Sequence, residues 1–502
     1  MSPRFQGVLT GVVFAAGLGS LATEIAASRL LAPYFGNSTI VWANVIGLIL
    51  ASLSVGYWLG GKLADRRPTP RTLGAVVTAA ACLVAVIPFV ARPLLDFSVE
   101  GLDRVSAGAA IGSFFGVLVL FVPPVILLGM VAPFAIRLAI TDVETAGAVS
   151  GRLYAVSTVG SLLGTFLSAL VLIPAIGTQR TLIASAAVIG LGGALLLGRR
   201  WFALAAALAA LLLIPPGVVK AQSGLVYERE SRYQFIQVVQ EPDGERKLYL
   251  DEGLATHSVW RRGEVLTGGV WDTYLAVAAM APGPHRVAML GNAAGTAARA
   301  YAHFYPGVKI DGVELDPAVS DAGRRYFEMG KTPGLAVHNL DARAFLRRTD
   351  AKYDVIVVDA YRPPYVPFYL ATKEFFELVR KRLNPGGVVA LNVASTPDDH
   401  RLAEEIGGTL ATVMPAAYWQ PLRFNRIVIG VNGEQVPHTV ADAPAQLQPL
   451  VSSLLHGLHD VPPSADPWTD DKAPVEWITD RMIVEFAAGG GRFEEPPLQT
   501  AP

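Results

Sequence analysis

The chain has 502 residues and a formal net charge of -1 at pH 7. That length exceeds one ordinary domain, and the balanced charge gives no bulk basic signal, so we predict no nucleic-acid partner. Cys82 is the single cysteine, which excludes an intramolecular disulfide and a cysteine-cluster metal site.

The chain before Lys220 is strongly apolar, and several runs reach the ~20 residues that a helix needs to cross a bilayer. Gly and Ala recur through these runs, as in spanning helices that pack closely. We therefore predict that residues 1–219 form a multi-pass transmembrane domain of about seven helices in the cell membrane, with the lipid bilayer as a partner. The predicted spans are 7–31, 38–61, 73–91, 109–132, 150–174, 181–198 and 201–218.

After Lys220 the pattern of apolar and polar residues changes to that of a soluble α/β protein. Tyr233–Gln240 and Lys247–Gly253 alternate apolar and polar residues around a turn, which predicts a β-hairpin within residues 220–283. From residue 284 to 485, apolar strand patterns alternate with helical patterns, which predicts a doubly wound parallel sheet. Residues 486–502 are expected to be a flexible tail.

Small and acidic residues follow the successive strands of this predicted sheet. Gly291 and Gly295 let the backbone approach a ligand at a helix N-terminus. Glu314 ends the next strand, where an acidic side chain can accept hydrogen bonds from both ribose hydroxyls. Asp341 and Asp359 end the following strands, and Asp341 could accept from an adenine amino group. The alternative is that each acid caps its following helix.

The residues at these strand ends suggest a nucleoside without phosphates as the ligand. The reason is that the sequence contains no pyrophosphate clamp and no lysine-bearing phosphate loop. S-adenosylmethionine or a relative is the natural candidate. The histidines show no H-E-x-x-H or comparable spacing, so we predict no metal site.

Several motifs carry a family resemblance. These are "SRYQFIQV", "LYLDEG", "VAMLGNAAGTAAR", "VELD", "LDAR", "VVDAYRPP" and "TDDKAPVEWIT". With them, the C-terminal half resembles the spermidine synthases, which are polyamine aminopropyltransferases. The whole chain looks like bacterial membrane proteins that fuse such a domain to a multi-span region. The resemblance implies a Rossmann-like α/β domain of the S-adenosylmethionine-dependent transferase type, in which residues 220–283 gate the substrate.

The resemblance also implies roles for individual residues. Asp359 would be the base that activates an amine nucleophile, with decarboxylated S-adenosylmethionine, or S-adenosylmethionine itself, as co-substrate. The nucleoside would be held by Gln234, Gly291, Gly295, Glu314, Asp341 and Ala342. The acceptor would be bound by Tyr233, Asp272, Tyr361 and Arg362.

The chain also departs from the family pattern. Ala294 stands where the family carries an amine-binding aspartate, Arg362 replaces a second loop aspartate, and Asp272 is the single acid left in the region of the family's Y-H-E-M motif. A polyamine is a polycation that needs carboxylates spaced to match its nitrogens, so these changes weaken diamine binding. Arg362 could instead pair with a carboxylate on the donor or on an anionic acceptor. The alternatives are a salt bridge to Asp359 itself or simple exposure to solvent.

The expected function is a membrane-anchored aminopropyltransferase that acts on a small-molecule amine. The alternatives are methyl or aminocarboxypropyl transfer, or a non-catalytic transporter or sensor that binds a polyamine or nucleoside. Dimers are usual in the resembled family, so a homodimer is an expected assembly. Seven spans with basic loops inside place the soluble domain outside, whereas a donor made in the cytosol favours the cytoplasmic side.

Overall fold

The structure is a computed structural model that describes residues 2–36, 38–102, 108–251, 255–362, 365–433 and 440–489. The chain divides into two compact units. The helical unit comprises Met1–Ala221 with Glu230–Phe235, and the α/β unit comprises Gln222–Arg229 and the chain from Ile236 onward. The domain boundaries predicted from the sequence stay predictions. Most of the predicted tail lies outside the described residues.

The helical unit is built from long apolar helices whose starts are marked by capping residues. Ser2 and Ser38 accept hydrogen bonds from the backbone N–H groups of Phe5 and Val41, and so cap the first two helices. In chain order the helices are α1 (Pro3–Phe35), α2 (Thr39–Arg66), α3 (Pro70–Leu102), α4 (Gly108–Leu120), α5 (Val122–Gly129), α6 (Val131–Ala139), α7 (Ala146–Leu167), α8 (Ile173–Leu197) and α9 (Phe202–Ala210).

Within the described residues, five helices are long and apolar enough to cross a membrane. They are Pro3–Phe35, Thr39–Arg66, Pro70–Ser98, Val122–Ala139 and the 52-residue run Ala146–Leu197. The last run contains two predicted spans and is broken at Gly177, whose φ of 82° and ψ of 166° are not helical. The predicted span at 201–218 is not among these five: α9 has 9 residues, with 3-10 turns at Arg199–Trp201 and Leu211–Leu213 on either side.

Helices α1 and α7 approach each other so closely that glycine is required between them. A Cβ atom at Gly160 would lie 2.4 Å from the carbonyl oxygen of Phe14, and one at Gly164 would lie 2.2 Å from that of Leu18. Gly17 of α1 meets the backbone of Ser157 in the same way. Backbone atoms cannot yield as a flexible side chain can, so these glycines set the helix spacing.

We expect Gly160→Ala to lower the thermal unfolding temperature of the detergent-solubilised protein, with a loss of roughly 1–3 kcal/mol from overpacking. Gly151→Ala, on the same helix, is the matched control, because nothing lies within 4 Å of the added Cβ there. The control should gain up to ~1 kcal/mol from helix propensity alone. Equal melting temperatures for the two variants would contradict this packing.

The α/β unit contains a small sheet and a large one. The small sheet has the strand order β1-β2-β3-β4, and β3 pairs antiparallel with both β2 and β4. The β2–β3 pairing is the predicted hairpin. The strands are β1 (Leu225–Glu230), β2 (Phe235–Gln240), β3 (Arg246–Leu250) and β4 (Thr256–Trp260).

The large sheet has the order β12-β10-β11-β9-β8-β5-β6-β7. Strands β9, β8, β5, β6 and β7 run parallel, while β11 and β10 are antiparallel. The strands are β5 (Arg286–Leu290), β6 (Lys309–Val313), β7 (Leu335–His338), β8 (Tyr353–Val358), β9 (Leu383–Ala394), β10 (Ala416–Pro421), β11 (Asn425–Val431) and β12 (His459–Asp460).

Both faces of the large sheet are covered, so its central strands are apolar throughout. Val287 and Val357 belong to the core on one face, whereas Ala288 and Ile356 belong to the core on the other. This is the predicted doubly wound α/β fold, which confirms the fold class. The helices are α10 (Val270–Ala278), α11 (Thr296–Phe304), α12 (Pro317–Tyr326), α13 (Ala342–Arg348), α14 (Lys373–Arg382), α15 (Arg401–Ala411), α16 (Gln448–His456) and α17 (Val475–Ala488).

Candidate functional site

The candidate site begins where the parallel strands end. The N–H of Asp359, after β8, donates to the carbonyl of Leu290 at 2.8 Å, and the N–H of Gly291 donates to Val313 at 2.9 Å. Gly291 has a φ of 96°, and a Cβ there would lie 2.2 Å from the carbonyl oxygen of Asp359. Only glycine fits, so Gly291 lets the ends of β5 and β8 meet.

Glu314 follows β6 and holds the loop after β5. Its carboxylate accepts from the N–H of Ala293 and from that of Asp316, both at 3.0 Å. Burial raises the pKa of Glu314 to about 7, although both backbone hydrogen bonds favour the ionised form. The carboxylate keeps unused lone pairs, which is the property that binding a pair of ribose hydroxyls requires.

Asp341 has a different environment from Glu314. It accepts from the N–H of Ala344 at 2.9 Å, which makes it the N-cap of α13, and from the hydroxyl of Tyr369 at 2.9 Å. The capping alternative is therefore what the structure has at this position. Its role beside an adenine ring, and that of the buried Ala342, stay predictions.

Asp359 is partly buried, and neutral polar groups surround its carboxylate. The side-chain amide of Asn392 donates to it at 3.0 Å, and Asn392 accepts in turn from Asn425 at 2.9 Å. The hydroxyl of Tyr274 faces Asp359, and burial in an apolar setting raises the pKa of Tyr274 well above its usual value. Burial also raises the pKa of Asp359, because it outweighs the hydrogen bonds that favour the carboxylate.

Asp359 opens into a cavity of about 620 Å³. Gly291, Asn292 and Tyr361 line it on the sheet side, and Trp271, Asp272 and Tyr274 line it from α10. Helix α16 contributes Leu450 and Leu454, and α17 contributes Thr479, Met482 and Ile483. A concave, mostly apolar space with a few convergent polar groups is typical of a small-molecule site.

The structure brings part of the predicted set to this cavity. Gly291, Asp272, Asp359 and Tyr361 line it. Gly295, with a φ of 86°, precedes α11 and packs against Met329, while Tyr233 and Gln234 belong to the helical unit. The binding roles of all these residues stay predictions.

Two predicted acceptor-binding residues have local structural partners. Both oxygens of Asp272 accept from Thr267, and one also accepts from the N–H of Gly268 at 2.7 Å. Arg362 is exposed, and its backbone pairs with that of Tyr365. Arg362 is not among the described residues that line the cavity, and its anion-binding role stays a prediction.

Sequence reasoning missed three contributors. Tyr274 and Asn392 flank Asp359, and the polar Asn392 within the apolar strand "VVALNVA" was the available signal. The third is the ion pair between Arg343 and Asp470, whose two contacts are both 2.7 Å. Thr372 also donates to Asp470 at 2.7 Å. The "TDDKAPVEWIT" segment thus fixes α13, the helix that Asp341 caps.

The strand order of the large sheet, with Gly291, Glu314 and Asp359 at the ends of its parallel strands, is that of a nucleoside-binding transferase-type fold. This fold defines the class of the α/β unit. Among the described residues, no group of three His, Cys, Asp or Glu side chains is placed to hold a metal ion.

Comparison with known proteins identifies the family of this chain. Residues 275–423 match the spermine/spermidine synthase domain. The chain is 30% identical over 432 residues to the polyamine aminopropyltransferase of Mycobacterium tuberculosis (strain ATCC 25618 / H37Rv), covering 78% of each chain. The chain therefore belongs to the polyamine aminopropyltransferase family.

Other relatives match over shorter stretches. A probable polyamine aminopropyl transferase of Bifidobacterium longum (strain NCC 2705) is 36% identical over 193 residues, which is 38% of this chain and 43% of that protein. The chain thus spans less than half the length of that relative. The crystal structure of a probable spermidine synthase from Corynebacterium glutamicum ATCC 13032 aligns with a TM-score of 0.38 and 21% identity, over 56% of this chain and 100% of that one.

If Glu314 binds ribose hydroxyls, nucleoside affinity should fall with decreasing pH. A pKa raised to about 7 means that the carboxylate is protonated below pH 7 and loses acceptor capacity. We expect adenosine to bind about tenfold more weakly at pH 6 than at pH 8, measured by calorimetry. Glu314→Gln should bind weakly at both pH values.

Glu328→Gln is the control for this measurement, because the Lys331 ammonium lowers the pKa of Glu328 out of that window. The control should keep the pH dependence of the unchanged protein. Equal adenosine affinity at pH 6 and pH 8 in the unchanged protein would contradict the role of Glu314.

Proposed function

We propose that this chain transfers an aminopropyl group from decarboxylated S-adenosylmethionine to an amine, and releases methylthioadenosine. The observation that carries the proposal is the placement of Asp359, a partly buried carboxylate that lines the cavity beside the glycine loop after β5. The names of the family relatives support the same chemistry.

The chemistry follows from the properties of the two reactants, the sulfonium donor and the amine acceptor. The sulfonium is already a good leaving group, whereas an ammonium has no lone pair with which to attack. Asp359 holds the ammonium and accepts one proton, and the freed nitrogen lone pair attacks the carbon bonded to sulfur. The C–S bond breaks, its electron pair stays on sulfur, and methylthioadenosine leaves as a neutral thioether.

Burial supports this role for Asp359. A carboxylate in water has little affinity for a proton at neutral pH, but burial raises the pKa of Asp359 toward that of a useful base. Asn392 donates to one carboxylate oxygen, and so fixes the orientation of the group. The proton and the reacting nitrogen then meet at a defined place.

Two other reactions are distinguished by their products. Methyl transfer from S-adenosylmethionine would release adenosylhomocysteine, whereas aminocarboxypropyl transfer would release methylthioadenosine with a carboxylated product. A transporter or sensor would bind the nucleoside or the amine without turnover. Mass spectrometry of the products therefore separates all of these alternatives from aminopropyl transfer.

We expect Asp359→Asn to lower the turnover rate by about 10²-fold or more, because the amide cannot accept the proton. Methylthioadenosine binding should stay within about twofold, since the change is isosteric. In the unchanged protein the rate should rise with pH as Asp359 loses its proton, at a pH above the usual carboxyl range.

Asp350→Asn, at a fully exposed site, should leave both the rate and its pH profile unchanged. Asp359→Asn retaining more than about a tenth of the rate would exclude Asp359 as the base.

We further propose that the helical unit anchors the protein in a membrane. The chain would leave that unit at the end opposite its basic loops. Three contacts within the unit support this exit. The hydroxyl of Tyr34 donates to the carbonyl of Val219 at 2.6 Å, Arg29 donates to the carbonyl of Arg232 at 2.7 Å, and Thr178 donates to the carboxylate of Glu230 at 2.7 Å.

The basic loops lie at the other ends of the same helices. Arg29 and Tyr34 are in the last turns of α1, whereas Asp65, at the end of α2, pairs with Arg137 of α6 at 3.1 Å. Lysines and arginines near this second end are Arg4, Lys62, Arg66, Arg67, Arg71, Arg137, Arg199 and Arg200. Basic loops stay in the cytoplasm, so this topology favours an extracytoplasmic α/β unit, contrary to the expectation from donor supply.

Reporter fusions in a bacterial host test the topology. Alkaline phosphatase, which is active outside the cytoplasm, should be active when fused after Pro502 and inactive when fused within the loop at Arg67. A green fluorescent protein fused at the same two positions should give the opposite pattern. Phosphatase activity at the loop and not after Pro502 would overturn the proposed orientation.

A further inference from the structure

Two asparagines lie beside Asp359 on adjacent strands of the large sheet. Asn392 is near the end of β9 and Asn425 begins β11, and both line the cavity. Asparagine is uncommon within strands, because its side chain competes with the backbone for hydrogen bonds. Its presence in two largely apolar strands, facing the same cavity, indicates a role beyond packing.

The register of the two strands brings these asparagines together. Strands β9 and β11 pair antiparallel, with Ile427 opposite Asn392 and Ala394 opposite Asn425, so the two asparagines are diagonal neighbours on one face of the sheet. The Nδ2 of Asn425 donates to the Oδ1 of Asn392 at 2.9 Å. The Nδ2 of Asn392 in turn donates to the Oδ1 of Asp359 at 3.0 Å. A chain of hydrogen bonds thus runs from β11 through β9 to the carboxylate.

The direction of this chain depends on Asn425. The two ends of the Asn392 amide are similar in size, although one is a donor and the other an acceptor. A reversed amide would direct its oxygen at the Asp359 carboxylate, and two acceptors would then repel each other. The donor from Asn425 stabilises the opposite orientation, in which the NH₂ group of Asn392 faces Asp359. The hydroxyl of Tyr361 donates to the main-chain carbonyl of Asn392 at 3.0 Å, which holds the backbone at this position.

The other titratable groups that face Asp359 are neutral. Tyr274 of α10 and Tyr361 of the loop after β8 both lie near the carboxylate, and burial raises the pKa of each hydroxyl. On β4, burial lowers the pKa of His257 to about 4. Helices α16 and α17 contribute only uncharged side chains to the described part of the lining. Hydrogen bonds to the carboxylate therefore oppose the effect of burial on the pKa of Asp359. The charged side chains that also line the cavity are Asp272 and Arg423.

We propose that Asn425 is a positioning residue for the transfer reaction. Through the amide of Asn392, it fixes the orientation of the Asp359 carboxylate and stabilises its ionised form. The inference rests on the proposed role of Asp359 as the base, and it deepens that role by naming a residue that acts on the base through a second side chain.

The test measures methylthioadenosine release against pH with the purified full chain. We expect Asn392→Leu to lower kcat at pH 7 by about tenfold and to move the rising limb of the profile about 1 pH unit higher, because the ionised carboxylate loses a donor. Asn425→Leu should lower kcat by about threefold and move the limb by about half as much, because the reversed amide of Asn392 then becomes populated. The KM values for donor and amine should stay within about twofold.

The double variant separates an indirect role from a direct one. If Asn425 acts through Asn392, then Asn392→Leu combined with Asn425→Leu should match Asn392→Leu alone within about twofold, in kcat and in the position of the rising limb. Additive losses would overturn the inference, because they would show that Asn425 acts on the reaction by another route.

Asn432→Leu is the matched control. Asn432 directly follows β11 at its other end, donates to the carbonyl of Asn384 at 3.1 Å and accepts from Arg380 at 3.3 Å, and does not line the cavity. The control should unfold at a lower temperature through these lost hydrogen bonds but keep the pH profile of the unchanged protein. If Asn425→Leu does not fold, Asn425→Ala should show the same displaced profile. A folded Asn425 variant with an unchanged profile would overturn the inference.

Failure of the proposed reaction is distinguishable from failure of the inference. If the unchanged protein releases no methylthioadenosine with any amine, the transfer reaction fails, and the carboxylate can still be titrated directly. With aspartate labelled by carbon-13 at its carboxyl group, the NMR signal that is missing from Asp359→Asn belongs to Asp359. Its titration midpoint should lie at higher pH in Asn425→Leu than in the unchanged protein. An unmoved midpoint would overturn the inference.

Discussion

The close approach of Gly291 to the carbonyl of Asp359 is the constraint on which the site depends. Because no Cβ fits between them, the ends of β5 and β8 can meet, and the loop after β5 can turn toward Glu314. The same contact fixes where the Asp359 side chain starts. The glycine was expected to admit a ligand, but its first effect is to join two strands, and the ligand-binding edge results from that junction.

Glu314 and Asp359 share an electrostatic character. Burial raises the pKa of each, so the ionised forms are under-solvated before any ligand is present. A cationic ligand beside Asp359 would restore the solvation that burial removes, and ribose hydroxyls would do the same for Glu314. The free energy of ligand binding would then offset the cost of ionising the two buried carboxyl groups.

The features predicted correctly from the sequence are those encoded by short stretches of the chain. Apolar strand runs that alternate with helices gave the doubly wound sheet, and the acid after each strand placed Glu314 and Asp359 at its edge. The sequence did not predict Tyr274 or Asn392, which reach Asp359 from distant positions in the chain. The binding role of Arg362 stays a prediction, and its side chain is exposed, which was one of the alternatives that the sequence left open.

The ion pair between Arg343 and Asp470 has a consequence for biosynthesis. Its partners are separated by 127 residues, and Arg343 lies in the first turn of α13, the helix that Asp341 caps. A growing chain therefore emerges with this arginine unpaired until the segment around Asp470 has been made. Helix α17, which supplies one wall of the cavity, is made later still. A chain cut short before this point would contain the glycine and the acids of the sheet edge but would lack that wall.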